Sequence, residues 1–269
     1  MTRAEDSHPP IDVSSVGSPE GPWRVEVVEE SGSTNADVAD RFRSGEGEGL
    51  VLVAEHQTAG RGRLGREWVT PPRSSLIVSF LLEPDVLPER WPWLPLLTGV
   101  AAADAVRRVT GVGVGLKWPN DVLADGHKLG GILLERVERV STGPTSAGAA
   151  AVVGIGINCS QSAEELPVPG ATSLELVTGG SVDRTALLGA LMEELTARYR
   201  VWQSGGDLRA AYLELCLTPG QEVQVAVPGG SVVGRAEDVD EAGRLVVRTA
   251  DGVEHLGAGD VVHVRPVGP

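Results

Sequence analysis

Lysine occurs in only one short segment of this chain. The 269 residues contain two lysines, Lys117 and Lys128, against 21 arginines. An ammonium group is a compact point charge whereas a guanidinium is a planar fork, so the two do not replace each other freely at a tight anionic centre. A compositional bias against lysine would not by itself leave both in the segment LKWPNDVLADGHKLGGILLE. We therefore predict that this segment belongs to a site that handles negative charge.

Lys128 precedes two glycines and an apolar run. This pattern predicts that the aliphatic part of its side chain is packed and that its ammonium group reaches a cavity. A cation within about 4 Å of a developing negative charge is worth roughly 4 kcal/mol at an effective dielectric of 20. That energy corresponds to about a thousandfold in rate if the contact exists only in the transition state. A turn is predicted at Trp118-Pro119-Asn120-Asp121, which would place polar side chains beside Lys117. For Lys128 alone, a surface position on a hairpin is the ordinary alternative.

A loop over residues 56–74 is rich in glycine and arginine. The stretch from His56 to Arg73, both included, contains four arginines and one glutamate, in a chain whose formal net charge is −14. Cations on a glycine scaffold are typical of an anion clamp. Trp68 offers an aromatic face for a flat ring. Three glycines allow the backbone to approach a phosphate or carboxylate closely: Gly60, Gly62 and Gly65.

Other interpretations of this loop stay open. The letters GRGRLG match the dinucleotide pattern G-x-G-x-x-G, but a tryptophan, two prolines and a strand follow where that motif requires a helix. An RNA tether of the arginine–glycine type and a plain solvated loop are the remaining alternatives. The sequence has no G-x-x-x-x-G-K-[ST], which excludes a P-loop.

Polar residues also stand at the ends of predicted elements. Ser33, Thr34 and Asn35 open a predicted helix, where they would cap it or bind a polar ligand head. Gln57 follows a strand and could act likewise. Asn158 ends the buried strand GIGIN and would meet an adenine edge or hold a turn. We find no Ser-His-Asp or Cys-His arrangement in a recognisable context and no zinc-type spacing of His and Cys.

Composition limits the class of protein. The chain is 41% hydrophobic and 22% charged, ordinary for a globular protein, and long enough for a large domain and a small one. The acidic balance argues against nucleic acid as the main partner. The two cysteines have no metal-binding spacing, which fits a reducing compartment. The first segment lacks the apolar core of a signal peptide, and no apolar run is long enough to span a membrane. We therefore predict a soluble cytoplasmic protein with no membrane partner.

The pattern of apolar residues predicts three regions. Residues 1–22, rich in Ser, Pro and Gly, should be a disordered tail, and residues 23–216 an α+β domain with a mixed β-sheet and flanking helices. Residues 217–269 should form a small β-barrel of four or five short strands. Strands are predicted at 23–30, 50–55, 75–83 and 149–158, with a hairpin around Asp125-Gly126. Helices are predicted from Ser33 and over 91–110, 183–203 and 207–216.

Five motifs stand in one order over residues 23–265: Ser33-Thr34-Asn35, QTAGRGRLGREW from Gln57, Lys117-Trp118-Pro119-Asn120-Asp121, KLGGILLE from Lys128, and GIGIN from Gly154. Each motif is weak alone, but in this order they resemble the biotin protein ligase family. The resemblance implies a catalytic domain of the class II aminoacyl-tRNA synthetase-like fold and an SH3-like C-terminal barrel. About 22 residues precede the first predicted strand, too few for the helix-turn-helix domain of some members, so the monofunctional type is expected.

The resemblance also implies an activity. Members couple biotin to ATP, form biotinyl-5′-adenylate and pyrophosphate, and then biotinylate one lysine of the biotin carboxyl carrier domain of an acyl-CoA carboxylase. The expected substrates are therefore ATP and biotin, with Mg²⁺ arriving on ATP. No metal ligand is assigned, although Asp121 is a candidate. The expected oligomeric state is a monomer or weak homodimer, and the glycines of the arginine loop favour disorder before ligand binds.

Roles for individual residues follow from the same resemblance. The residues expected to catalyse are Lys128, Arg63 and Lys117. Those expected to bind biotin are Ser33, Thr34, Asn35, Gln57, Arg61, Gly62, Arg63, Lys128, Gly130 and Gly131. Those expected to bind ATP or the adenylate are Arg61, Arg63, Arg66, Trp68, Asn120, Asp121, Lys128 and Asn158. The alternatives are a lipoate ligase or octanoyl transferase of the same fold, and a non-catalytic biotin or nucleotide sensor.

Overall fold

The computed structural model describes residues 8–16, 21–139 and 148–263. The predicted disorder of residues 1–7 and 17–20 lies outside the described residues. Within them, no helix is long and apolar enough to cross a membrane.

A seven-stranded mixed sheet forms the centre of the larger domain. Its strands are β1 Arg24–Ser31, β2 Leu50–Gln57, β3 Ser75–Leu82, β4 Val114–Lys117, β5 Asp121–Ala124, β6 His127–Arg139 and β7 Gly148–Asn158. The strand order is β1-β2-β3-β7-β6-β5-β4. The strands β1 and β2 pair in parallel, because a helix connects them, and the other neighbours are antiparallel.

Helices cover both faces of this sheet. They are α1 Thr34–Arg43, α2 Trp93–Thr110, α3 Leu174–Thr178, α4 Arg184–Gln203 and α5 Arg209–Leu215. The strand β3 is buried at every position, as expected for a central strand covered on two sides. The larger apolar core contains Phe80 and lies on the α2 and α4 side, whereas a smaller core contains Phe42 of α1 and lies on the other. The α1 face is therefore incompletely filled by apolar side chains, and the candidate site lies there.

Five short antiparallel strands form the C-terminal sheet. They are β8 Glu222–Val227, β9 Gly230–Val239, β10 Leu245–Arg248, β11 Val253–Leu256 and β12 Asp260–His263. Their order is β11-β10-β9-β8-β12. The buried indoles of Trp93 and Trp118 in the larger domain donate hydrogen bonds to carbonyls of the turn between β9 and β10, at 2.7 Å to Glu241 and 3.0 Å to Gly243. These two contacts join the small sheet to the larger domain.

Residues 8–16 differ from the predicted disordered tail. A short 3₁₀ helix spans Val13–Ser15, and Ile11 is buried in the large core. The reason is a buried ion pair between Glu55 and Arg184, 2.7 Å apart. Both side chains also form hydrogen bonds with the backbone of this segment. Glu55 Oε1 accepts from the Ile11 amide at 2.7 Å, and Arg184 donates to the Pro9 carbonyl at 2.8 Å. The segment is thus held by charged partners that the local composition does not reveal.

Candidate active site

A cavity of about 370 Å³ opens on the α1 face of the large sheet. Its walls come from the start of α1, from β3, β5, β6 and β7, from the arginine loop and from β12 of the C-terminal sheet. All the predicted site residues line this cavity except Gly130. A Cβ atom at Gly130 would lie 2.5 Å from the Gly156 carbonyl oxygen. Gly130 thus lies outside the cavity lining, and its lack of a side chain serves the close pairing of β6 with β7.

The cavity floor is made by glycines of β7. Successive residues of a strand face opposite sides, and Ile155 and Ile157 belong to the large core. Gly154 and Gly156 therefore face the cavity. A Cβ atom at Gly154 would lie 2.3 Å from Asn35 Oδ1, and one at Gly156 would lie 2.5 Å from the Trp68 indole. The alternation of glycine and isoleucine thus gives a solid core on one side and space on the other.

A buried hydrogen-bond network forms one end of the cavity. The amide and hydroxyl of Thr34 donate to Gln57 Oε1 at 2.8 and 3.0 Å. The Ser79 hydroxyl lies 2.7 Å from Thr34 Oγ1 and 2.6 Å from Asn35 Oδ1. Asn35 Nδ2 donates to Glu135 Oε2 at 2.8 Å. Because each side chain is fixed by another, the polar groups at this end are preorganised for a small polar ligand head.

Ser33 occupies the N-cap position of α1, but its side chain makes no capping hydrogen bond. Simple capping therefore does not explain the hydroxyl that lines the cavity at this position.

Sequence reasoning missed two members of the network. A serine within the apolar run SLIVSFLL was a usable signal for Ser79, because a buried hydroxyl requires a partner. Glu135 was part of a recognised motif but carried no assigned role.

Both lysines meet one carboxylate in the cavity wall. Lys128 Nζ lies 2.6 Å from Asp121 Oδ1, and Lys117 Nζ lies 3.6 Å from Oδ2 of the same residue. The strand pairing brings them together, because Lys117 is the cross-strand partner of Asp121 in the β4–β5 pair. The backbone of Lys128 is also fixed by hydrogen bonds to Gly170 and Thr172. The predicted turn at residues 118–121 therefore concentrates two cations around one anion.

The arginine loop is folded over the cavity. The amide of Gly62 donates to the Arg66 carbonyl at 2.7 Å, and that of Trp68 donates to the Gly60 carbonyl at 2.9 Å. The narrow turn between them has positive φ at Leu64 (56°) and Gly65 (74°). These hydrogen bonds define the conformation of the loop in this structure.

Contacts with the C-terminal sheet hold the tip of the loop. Arg66 pairs with Asp260, and Arg66 Nη1 donates one hydrogen bond of 3.2 Å to Asp260 Oδ1. Arg63 donates to the Gly259 carbonyl at 3.2 Å and to Asn120 Oδ1 at 3.1 Å. Burial lowers the pKa of Arg63, and the hydrogen bond from Arg66 lowers the pKa of Asp260. The domain boundary therefore runs through the cavity wall.

Two groups suited to a flat heteroaromatic ring lie beside the β7 glycines. The Trp68 indole packs against Gly156, and its Nε1 has no hydrogen-bond partner among the described residues. Asn158 Nδ2 donates to the Thr172 carbonyl at 3.0 Å, and Asn158 Oδ1 accepts from Gln161 Nε2 at 3.1 Å. The direction of the Asn158 amide is therefore fixed by protein groups, and Gln161 was not identified from the sequence.

The described residues contain no group of three or more His, Cys, Asp or Glu side chains that could hold a metal ion. The carboxylates of Asp121 and Asp260 line the cavity, but each is paired with a basic side chain. This arrangement fits a metal ion held chiefly by substrate phosphates, as is usual for Mg²⁺, and does not fit a protein cage.

Comparison with known proteins gives this geometry a family. The model of the Biotin/lipoate A/B protein ligase family matches residues 27–158, and that of the Biotin protein ligase C terminal domain matches residues 218–264. The chain is 41% identical to the biotin–[acetyl-CoA-carboxylase] ligase of Mycobacterium tuberculosis, over 98% of this chain and 100% of that protein. The chain belongs to the biotin protein ligase family. The family resemblance and the ligase class predicted from the sequence are thereby confirmed.

More distant relatives agree. The bifunctional ligase/repressor BirA of Escherichia coli is 31% identical over 90% of this chain and 74% of its own length. The structure of the biotin protein ligase from Aquifex aeolicus in complex with biotin and ATP has a TM-score of 0.74 at 28% identity, covering 90% of this chain and 99% of that chain. The predicted fold, a mixed sheet with flanking helices followed by an SH3-like β-domain, is confirmed.

Proposed function

We propose that this chain catalyses ATP-dependent biotinylation of one lysine in the biotin carboxyl carrier domain of an acyl-CoA carboxylase. The observation that carries the proposal is a single cavity with a buried polar network at one end, two lysines in its wall and an arginine loop across it. The biotin–[acetyl-CoA-carboxylase] ligase of Mycobacterium tuberculosis and the biotin and ATP bound to the Aquifex protein support it.

In the first step a biotin carboxylate oxygen attacks the α-phosphorus of ATP, biotinyl-5′-adenylate forms and pyrophosphate leaves. The difficulty of this step is that one anion approaches another. Lys128, assisted by Lys117 and Arg63, would reduce the repulsion as charge gathers between the two groups. Asp121 holds the Lys128 ammonium group in place at 2.6 Å until the substrate anions compete for it.

The two ends of the cavity suit the two ends of the adenylate. The network of Ser33, Thr34, Asn35 and Gln57 would hold the ureido head of biotin, with Arg61, Gly62 and Gly131 along its tail. The adenine would lie between Trp68 and Asn158, while Arg66 and Asn120 line the cavity toward the phosphates. Mg²⁺ would accompany ATP and neutralise phosphate charge. Asp121, whose carboxylate lies beside Lys128, is the candidate protein ligand for this ion.

In the second step a neutral lysine amine of the carrier attacks the acyl carbon, an amide forms and AMP leaves with the bonding electrons. The amine proton passes to solvent. Because the acyl-adenylate is already activated, this step depends mainly on positioning. We propose further that residues 23–216 carry out catalysis and that residues 217–269 have a supporting role.

The decisive experiment is pyrophosphate–ATP exchange by the purified chain with biotin, octanoate or lipoate supplied separately. We expect exchange with biotin alone. We also expect an unmodified carrier domain to gain the mass of one biotinyl group. Exchange with the fatty acids would assign the chain to the lipoate branch. Saturable biotin binding without exchange would instead identify a sensor.

A further inference from the structure

The buried network at the start of α1 has a fixed donor and acceptor at each position. The backbone N–H of Thr34 can only donate, so Gln57 turns Oε1 toward it at 2.8 Å. The Thr34 hydroxyl gives its single hydrogen to the same oxygen at 3.0 Å. Thr34 Oγ1 is therefore left as an acceptor for the rest of the network.

Glu135 fixes the direction of the Asn35 amide in the same way. A carboxylate accepts hydrogen bonds and does not donate them, and Glu135 Oε2 lies 2.8 Å from Asn35 Nδ2. The Leu133 carbonyl, which also only accepts, lies 3.3 Å from the same nitrogen. Both hydrogens of the amide are thereby used on the β6 side, and Asn35 turns Oδ1 toward Ser79. Asn35 Oδ1 is thus the second acceptor of the network.

This arrangement leaves the network one hydrogen short. Ser79 has a single hydroxyl hydrogen, and its oxygen lies 2.7 Å from Thr34 Oγ1 and 2.6 Å from Asn35 Oδ1. Within the described part of the chain, the Ser79 hydroxyl is the only group that donates to these two oxygens, so one of them has no donor. Thr34 and Asn35 are only 3% and 4% exposed, yet both line the cavity. Because a buried acceptor requires a partner, the missing hydrogen must come from the ligand.

We propose that Glu135 is a specificity-determining residue that makes this end of the cavity select a ligand head with an N–H donor. The inference rests on the proposed function, in which the network holds the ureido ring of biotin. A cyclic urea carries ring N–H groups, whereas a dithiolane ring or an alkyl chain carries none. Glu135 lies outside the cavity lining and acts through Asn35, as a positioning residue.

Glu135→Gln tests the proposal, because a glutamine of nearly the same size can accept from Asn35 or donate to it and so no longer fixes the amide. The ligands are biotin and its two cyclic carbamate analogues, in each of which one ring N–H is replaced by an ether oxygen. Their affinities for the purified full chain are measured by calorimetry, which requires no catalytic step.

The wild type should bind one of the two analogues about ten- to a hundredfold more weakly than biotin, because a buried acceptor then loses its donor. In Glu135→Gln this ratio should fall at least about fivefold, since Asn35 can turn Nδ2 toward the ether oxygen. The affinity for biotin itself should fall about three- to tenfold, since the amide is no longer held in the direction that suits biotin.

Two controls separate the direction of the amide from the charge of Glu135. Arg61→Gln removes the ion pair that Arg61 makes with Glu135 Oε1 at 3.7 Å but leaves the carboxylate beside Asn35. It should weaken the binding of all three ligands by the same factor and keep the ratio. Glu138→Gln makes the same substitution further along β6, where the carboxylate pairs with Arg136 at 3.0 Å, and should behave as the wild type.

An unchanged ratio in Glu135→Gln, with a common loss for all three ligands, would overturn the proposal and leave Glu135 a structural role only. Equal binding of biotin and both analogues by the wild type would also overturn it, since the network would then lack no donor. Failure of the proposed function has a different signature. A wild-type chain that binds biotin with the expected ratio but shows no biotin-dependent pyrophosphate exchange would lose the ligase activity and keep the selection of the ligand head.

Discussion

At the scale of single residues, Lys128 and Asp121 define the charge balance of the cavity. The ammonium nitrogen lies 2.6 Å from Oδ1, and the Lys128 side chain is only partly buried. Its removal should therefore disturb the chemistry more than the fold. The confinement of lysine to one segment predicted a cation position here, but the sequence could not show that both ammonium groups lie beside Asp121.

Lys128→Ala should lower biotin-dependent pyrophosphate exchange about a hundred- to a thousandfold, since a cation close to the reacting anions is removed. Lys128→Arg should recover little, because a planar fork does not replace a point charge. The thermal unfolding midpoint should change little in either variant. Lys117→Ala, from a position 3.6 Å from Asp121, should cost less. Exchange near the wild-type rate in Lys128→Ala would remove this residue from the mechanism.

Asn158 illustrates a residue whose orientation depends on its neighbours. The Thr172 carbonyl can only accept, so it receives the Asn158 amide nitrogen, and Asn158 Oδ1 must face the amide nitrogen of Gln161. The Watson–Crick edge of adenine presents the N6–H donor beside the N1 acceptor, whereas guanine presents the O6 acceptor beside the N1–H donor, so an asparagine amide held in one orientation pairs with only one of the two bases. Gln161 should therefore be a positioning residue for nucleotide choice.

Gln161→Glu places an acceptor opposite Asn158 Oδ1 and should loosen the amide. We expect the KM for ATP to rise about tenfold, with a smaller change in kcat and a weaker preference for ATP over GTP in the exchange assay. Biotin affinity measured by calorimetry should not change. Ser75→Ala is the control, because it removes the other partner of Gln161 Nε2, at 2.5 Å, and keeps the contact with Asn158. An unaltered ATP-to-GTP ratio in Gln161→Glu would refute this role.

At the scale of elements, β7 shows how much of the site a strand pattern can predict. A buried strand at 149–158 was expected, and β7 spans Gly148–Asn158. The period of two then places Gly154 and Gly156 on one face and Ile155 and Ile157 on the other. What the pattern cannot give is the identity of the groups above the glycines, because Asn35 and Trp68 arrive from distant segments.

Gly156→Ala should impair adenylation at least tenfold, because the new methyl group would lie 2.5 Å from the Trp68 ring and displace it. The KM for ATP should rise more than the KM for biotin. Gly189→Ala in α4 is the matched control, since its methyl group meets nothing within 4 Å. That change should stabilise the chain by about 0.5–1 kcal/mol in denaturant unfolding and leave exchange unchanged. Wild-type kinetics in Gly156→Ala would show that the indole has room to move.

The segment of residues 8–16 shows why one element could not be predicted. Its few apolar residues indicated disorder, whereas its position depends on Glu55 and Arg184, which are 129 residues apart in sequence. Such a nonlocal buried ion pair leaves no local pattern.

Glu55→Ala should destabilise the chain by about 3–5 kcal/mol, because Arg184 would be left charged and buried. Hydrogen exchange should show release of the backbone around Ile11, whose amide donates to Glu55. The double variant Glu55→Ala with Arg184→Met should lose less stability, because no uncompensated charge remains. A double variant as unstable as the single one would assign the loss to packing and not to charge.

At the scale of the whole molecule, the cavity is shared by two domains. The change to a pattern of short strands after residue 217 predicted a separate C-terminal β-domain, but it could not show that β12 lines the cavity or that Asp260 binds the arginine loop. Such contacts depend on the relative placement of the domains, which Trp93 and Trp118 fix through hydrogen bonds to carbonyls of the turn between β9 and β10. Retention of the adenylate should accordingly depend on both domains.

Asp260→Asn tests this dependence, because it removes the charge that holds Arg66. Release of preformed biotinyl-adenylate should become about tenfold faster, while Glu237→Gln, which weakens the pair with Arg248 elsewhere in the same sheet, should have no effect. Added salt should speed release in the wild type and not in Asp260→Asn. The pKa of Asp260 is lowered from 3.8 by the hydrogen bond from Arg66, so the pair is intact at neutral pH and is lost only as the pH falls through that lowered value. The rate of adenylate release should therefore not change between about pH 6 and 8. A salt dependence of this rate that persists in Asp260→Asn would show that another ion pair retains the adenylate.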